Sequence, residues 1–160
     1  MRPVGLGADR LTEQLGRMAA GNAVTQSSAT VGVVEDLVVD SGIVVATPGA
    51  LPAVTHGYGY LAIVGARVSV NEGLGAEAQA LRRWLNAAAL VASRADGGGV
   101  AVVGEVPAEV RQALVAWDGW DVAFGDFTQR EGMGLPPHRR ALRLDGPPDA
   151  INEAVRAIDA

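Results

Sequence analysis

The stretch Leu81 to Gly97, LRRWLNAAALVASRADG, decides how this chain is read. At about 100° per residue, Gln79, Arg82, Arg83, Asn86, Ser93 and Arg94 project to one side, and an alanine- and leucine-rich face lies opposite. Such a stripe predicts an amphipathic helix laid with its apolar side on a sheet. Leu90 falls in the middle of the polar side, where it can hydrogen-bond neither phosphate nor base, and Gly97 carries no charge to offer a nucleotide.

Short apolar runs flank that helix. Gly42 to Ala46 (GIVVA), Tyr60 to Val64 (YLAIV) and Val100 to Val103 lie between turn residues, a pattern predicting strands buried on both faces. A further short strand is expected near Val24 to Gln26. Asp9 is placed to cap a helix running to about Ala20, with Leu11, Leu15 and Met18 on one face and Gly21 ending it. Other helices are expected around Val31 to Val39, from Pro107 through Trp117, and over Val122 to Glu131. The opening GLGADR is a Gly-x-Gly without the third glycine or the preceding strand of a dinucleotide fingerprint, and reads as a turn. Strands alternating with helices imply a mostly parallel sheet joined by right-handed crossovers, an α/β domain.

Glycine and paired prolines at 132–137, GMGLPP, break this alternation. They predict one domain over residues 1–134 and the start of a C-terminal domain over 135–160. In that second part His138 to Leu144 alternates, with Arg139 and Arg143 on one face and Leu142 and Leu144 on the other, the pattern of a half-buried strand. A helix from Pro148 to Ile158 follows without a later strand to pair. The whole reads as a truncated C-terminal α/β segment.

Composition narrows the function. With 160 residues, 49% of them apolar, the chain has room for one packed domain and a fragment of another. The absence of cysteine excludes disulfides and thiolate zinc sites within these residues. No apolar run approaches the roughly 20 residues that cross a bilayer, and MRPVGLGADR lacks the apolar core of a signal peptide, so a cytoplasmic protein without a membrane partner is expected. All 13 basic residues are arginine, which suggests a high-GC genome and rules out the lysine of a Walker A loop. The net charge of -5 argues against strong nonspecific binding to nucleic acid, so any DNA contact should be local.

Catalytic constellations are few. His56 and His138 have no partner at metal-ligand spacing, and Asp118, Asp121 and Asp126 fail the calcium-loop pattern and read as helix caps and solvated loop acids. Ser27 and Ser28 lack a nucleophile elbow. Arg139, Arg140 and Arg143 beside His138 form the densest positive patch, able either to hold phosphate or to protect an edge strand from aggregation. Trp84, Trp117 and Trp120 could stack on bases, but the apolar neighbours of Trp84 and Trp117 at helical spacing point to the core.

In order along the chain, VGLGADRLTEQL, IVVATPGALPAV, LRRWLNAAALVASRADG and QREGMGLPPHRRALRL resemble the second helicase lobe of the PriA family of replication-restart proteins and its junction with the C-terminal domain. The resemblance is to the divergent, high-GC branch thought to have lost helicase signatures. It implies a three-layer RecA-like lobe with a mostly parallel sheet. The family's last motif, Gln-x-x-Gly-Arg-x-x-Arg, falls on Leu90, Ser93, Arg94 and Gly97, of which Arg94 alone matches. The family's Gly-Thr-Gln-x-x-x-Lys-Gly becomes Ala46, Thr47, Pro48 and then Pro52, Ala53, so Thr47 survives without the amide or the lysine. The acidic residue expected after the Tyr60 strand is also missing, with Val64, Gly65 and Ala66 in its neighbourhood.

Arginine fingers supply several kcal/mol of transition-state stabilisation, so losing the finger, the glutamine and the lysine together implies a lobe without ATP hydrolysis. The resemblance assigns ATP and zinc to regions outside this chain, the zinc insertion preceding Arg2, and leaves the chain itself without a cofactor. It implies a noncatalytic module that binds forked or single-stranded junction DNA and recruits primosome proteins. Candidate nucleic-acid contacts are Thr47, Arg82, Arg83, Arg94, Arg139 and Arg140, with no catalytic or metal-binding residue. Two alternatives stay open: a lobe of an active ATP-dependent 3′-to-5′ DNA helicase, and a generic α/β protein-interaction domain.

Overall fold

The alanine and leucine face of the deciding stretch is where the core forms in the computed structural model, which describes residues 7–37, 41–67 and 73–158. Helix α2, Ala76–Ala88, buries Ala76, Ala80, Leu81 and Ala88, and leaves Gln79, Arg82, Arg83 and Asn86 exposed. Its Leu81 meets Val110 and Ala113 of α3, Ala108–Ala116, and Val122 of α4, Trp120–Gly132. Trp84 and Leu85 close over this cluster, Trp84 in the core role expected of it. Burying a leucine or valine side chain in this way contributes about 1.5–3 kcal/mol.

Strands precede and interleave these helices. After α1, Ala8–Met18, come β1, Val24–Ser27; β2, Asp36–Leu37; β3, Ile43–Ala46; β4, Ala53–Val54; β5, Tyr60–Arg67; and, beyond α2, β6, Gly99–Glu105. They pair as β1 with β3, β2 with β4 and β5 with β6, and all three pairings are parallel. The chain is therefore α/β with parallel strands, as its alternation of elements predicted. Compact packing divides it into residues 1–123 and 124–160, the second unit containing α5, Pro148–Ile158.

Two glycines shape the β5–β6 ladder. Register runs from Tyr60 opposite Gly99 to Val64 opposite Val103, then slips so that Ala66 faces Gly104. Gly65, at φ 69, is the extra residue of this bulge. Gly104 sits at φ 151, and a Cβ there would run into the Ala66 carbonyl oxygen.

Several expectations are corrected. The helix through Arg94 ends at Ala88, so Ser93 and Arg94 do not continue its polar face. Strands β5 and β6 are not buried on both sides: Tyr60, Val64, Val100 and Val103 are all exposed, and β5 alternates between covered and open residues. Around 31–37 the chain forms a turn, a Ser28–Gly32 bridge and β2 rather than a helix, because Gly32 and the Ser27 hydroxyl capture its backbone; Val38 and Val39 lie outside the described residues. Residues 138–144 form no strand, and Arg139, Leu142 and Arg143 are all exposed. Alternation alone cannot make a strand where no neighbour accepts its ladder. Trp117 is exposed rather than in the core, because α3 stops at Ala116 and Trp117 turns left-handed at φ 58. Asp9 does not cap α1, whose N-cap is Gly7; its carboxylate instead accepts a 2.6 Å hydrogen bond from the Gln26 amide and ties α1 to β1.

Candidate nucleic-acid interface

The segment after α2 is held by a distant piece of backbone. The Tyr58 N–H donates to the Leu90 carbonyl at 2.9 Å, and the Ala92 N–H donates to the Tyr58 carbonyl at 2.8 Å, making a parallel bridge between Tyr58 and Val91. Gly57 permits this approach: at φ 72, a Cβ there would lie 3.0 Å from the Leu90 oxygen. Tyr58 is fixed in turn by its hydroxyl, which donates to the Pro52 carbonyl at 2.8 Å, and burial pushes its phenol above the ordinary value. These bonds draw residues 90–92 away from the helix path.

A single 3-10 turn, Arg94–Asp96, follows. Its cap is reciprocal: the Ser93 hydroxyl donates to the Asp96 carboxylate at 2.6 Å, and the Asp96 N–H donates to the Ser93 oxygen at 3.2 Å. Gly97 closes the turn at φ 85 and ψ 8, its N–H donating to the Arg94 carbonyl. Gly98 then passes so near Ala92 that any Cβ would strike its carbonyl oxygen. The Ser-x-x-Asp spacing of residues 93–96 was the sequence signal for this cap. Arg94 is exposed on the turn, while Leu90 is partly covered and engaged through its carbonyl.

Thr47 lies at the carboxyl end of β3. Its N–H donates to the Ser27 carbonyl at 3.1 Å and its own carbonyl accepts from Ala50 at 2.9 Å. Pro48 and Gly49, the latter at φ 85, are the central residues of this turn, the arrangement of a type II turn. Beside it, Ser27 and Ser28 are fully buried. The Ser27 hydroxyl accepts the Val34 N–H at 2.9 Å, and the Ser28 hydroxyl lies 3.1 Å from that of Thr30. Both serines are occupied in holding loops, a role that sequence reasoning had not assigned to them.

The candidate residues thus occupy distinct places. Arg82 and Arg83 are neighbours on the exposed face of α2, Arg94 stands on the capped turn beyond it, and Thr47 belongs to the β1–β3 layer. Arg139 and Arg140 belong to the second unit. There the His138 ring tilts on Phe127 at 4.2 Å between centroids, with Nε2 3.2 Å from the Phe127 carbonyl oxygen. Arg143 pairs with Asp145 at 2.9 Å, which offsets one charge of the patch, and Arg130 pairs with Asp126 at 2.8 Å. Arg139 and Arg140 remain exposed. Among the described residues no three acidic or histidine side chains are arranged to hold a metal, and no helix is long and apolar enough to cross a membrane.

Comparison with known proteins gives these places a context. No family profile matches the chain, and no solved structure does. The chain is 38% identical over 157 residues to a probable replication restart protein PriA of Mycobacterium leprae, a match covering 98% of this chain and 24% of the relative. It is 37% identical over 158 residues to the protein of the same name in Mycobacterium tuberculosis H37Rv, again over 98% of this chain and 24% of the relative. The four segments that resemble the family thus lie within a similarity that runs along nearly the whole chain. The chain is PriA-like, and it spans about a quarter of the length of the curated relatives it matches.

Proposed function

We propose that this chain is a noncatalytic, RecA-like lobe of a replication-restart protein, serving to bind forked DNA and to position neighbouring parts for primosome assembly. The observation that carries the reading is the backbone at Gly97. At the position corresponding to the family's final arginine, the chain is left-handed at φ 85 and closes a capped turn. Left-handed backbone disfavours any residue with a Cβ by about 1–2 kcal/mol, so the local fold has settled on the residue that lacks a phosphate-binding group. Leu90, in place of the family's glutamine, spends its carbonyl on Tyr58.

DNA contact in this reading is electrostatic and local. Arg82 and Arg83 on α2, Arg94 on its turn and the exposed Arg139 and Arg140 supply guanidinium groups for backbone phosphates, while Thr47 offers a hydroxyl at a strand end. A net charge of -5 confines such binding to these places. ATP, zinc and primosome partners belong in this proposal to the longer protein.

The test is nucleotide turnover by the protein at the full length of its relatives, measured with and without forked DNA. Fork binding without DNA-stimulated hydrolysis is the expected result. Stimulated hydrolysis that disappears on Arg94→Ala would overturn the proposal in favour of an active helicase lobe. Absence of fork binding by the same protein would leave a protein-interaction domain instead.

A further inference from the structure

The turn joining α3 to α4 presents large apolar side chains on a firmly seated backbone. Trp117 is 57% exposed, Trp120 69% and Val115 84%. Between the tryptophans, Gly119 rests against Leu81, whose Cδ2 would lie 3.2 Å from a Cβ at that position, and Val122 is buried just beyond. The Asp118 N–H donates to the Ala113 carbonyl at 2.9 Å, and the Asp118 carboxylate accepts the Trp120 N–H at 2.9 Å. Trp117 itself sits at φ 58 and ψ 34, a conformation usually left to glycine at a helix end. A bulky residue held there is an outlier that invites a functional account.

The sequence next to these indoles is acidic: residues 112 to 129 carry Asp118, Asp121 and Asp126 and no arginine. Asp118 and Asp121 bracket Trp120 in sequence, and both are exposed. An indole face attracts cations, arginine most often, and nearby carboxylates add to that attraction. Single-stranded DNA also stacks on tryptophan, but its phosphates would meet these carboxylates at a cost.

We infer that the Trp117–Trp120 turn is a docking surface for an arginine-bearing segment of another protein. The guanidinium groups lie over the indoles and pair with Asp121, while Val115 takes an apolar neighbour. Indole and arginine are the residue types on which protein interfaces concentrate their binding energy. The indoles are different side chains from the arginines assigned to DNA, so the two sets can be substituted independently.

Fluorescein-labelled deca-arginine and fluorescein-labelled dT20 serve as probes for the 160-residue chain, with binding read by anisotropy at one fixed salt concentration. Trp117→Gly removes an indole while supplying the residue best suited to that backbone; it is combined with Trp120→Ala, and Asp121→Asn is measured separately. Circular dichroism verifies that each variant is folded, and Trp117→Gly alone reads the same surface if the double variant is not. The expected result is deca-arginine binding weakened roughly fivefold by the double change and by a smaller factor in Asp121→Asn, with dT20 binding unaltered. Deca-arginine affinity that ignores the tryptophans, or fails to register on the unaltered chain, overturns the inference. Loss of dT20 binding in the double variant identifies a base-stacking surface instead and overturns it equally.

Discussion

Replacing Gly97 by arginine restores the family's residue to a backbone that resists it. Nothing lies within 4 Å of a Cβ built at Gly97, so the substitution meets no steric clash and its cost comes from φ 85 alone. For a residue with a side chain the left-handed region costs about 1–2 kcal/mol, from which a smaller amount is recovered because the unfolded chain loses glycine's freedom. A net loss of about 1 kcal/mol lowers the melting temperature by roughly 2–4 °C for a chain of this size. Thermal denaturation of the 160-residue chain followed by far-ultraviolet circular dichroism measures it, with Gly97→Asn as the control that tolerates left-handed backbone and should lose less. An arginine variant as stable as the unaltered chain, or no less stable than the asparagine variant, refutes the left-handed closure of the turn. The same variant in the longer protein should remain without ATP hydrolysis; its gain there would show that the missing guanidinium, rather than the fold around it, had silenced the site.

Other perturbations test the remaining layers. Leu81→Ala, at a side chain only 2% exposed and packed on Val110 and Val122, should cost about 3 kcal/mol, read as a lower urea midpoint; a change under about 1 kcal/mol would mean that α2 does not anchor this core. Tyr58→Phe removes the 2.8 Å bond to Pro52 and should cost about 1 kcal/mol near neutral pH. Because burial raises the Tyr58 phenol, the folded state favours its protonated form; the associated stability is complete below the ordinary phenol range and lost as pH rises through the folded value. Melts on the alkaline side should therefore fall less steeply for the phenylalanine variant, and parallel slopes would argue against the burial. Arg139→Ser with Arg140→Ser should weaken fork binding by the longer protein and make its salt dependence shallower by up to about 1.8 logarithmic units per decade, with the melting temperature unchanged. An unaltered salt slope would remove these two residues from the interface.

The apolar spacing of Ala80, Leu81 and Trp84 made α2 legible from sequence, because a helix that packs on one side writes its period into the chain. Its end was not legible: residues 90–92 leave the helix because Tyr58, more than thirty positions earlier, hydrogen-bonds their backbone. Ser93 and Asp96 carry a local cap signal, but the helical period that continues through Arg94 in the sequence masks it. The strand positions around Tyr60 and Val100 were visible, whereas their open faces were not, since a run of valine and alanine looks alike whether one side or both are covered. Trp117 misled for a related reason. Its spacing fits the α3 core face, yet one left-handed residue turns the indole to solvent. The alternation at 138–144 is genuine, but strand formation depends on a neighbour, which no local pattern can supply. Among the candidate contacts, the pairing of Arg82 with Arg83 on one exposed helix face could be read directly, whereas the Arg143 ion pair with Asp145 could not.

The parallel pairing of the three ladders among the described residues carries a kinetic consequence. Val24 meets Ile43 across nineteen positions, Asp36 meets Ala53 across seventeen, and Tyr60 meets Gly99 across thirty-nine. None of these pairs can begin as a tight hairpin, so each must first close a long loop whose entropy is lost before any ladder bond repays it. Helix α2 lies inside the longest of these loops and shortens it once formed. Refolding is thereby expected to run through early organisation of that helix against α3, with β5 and β6 zipping together late.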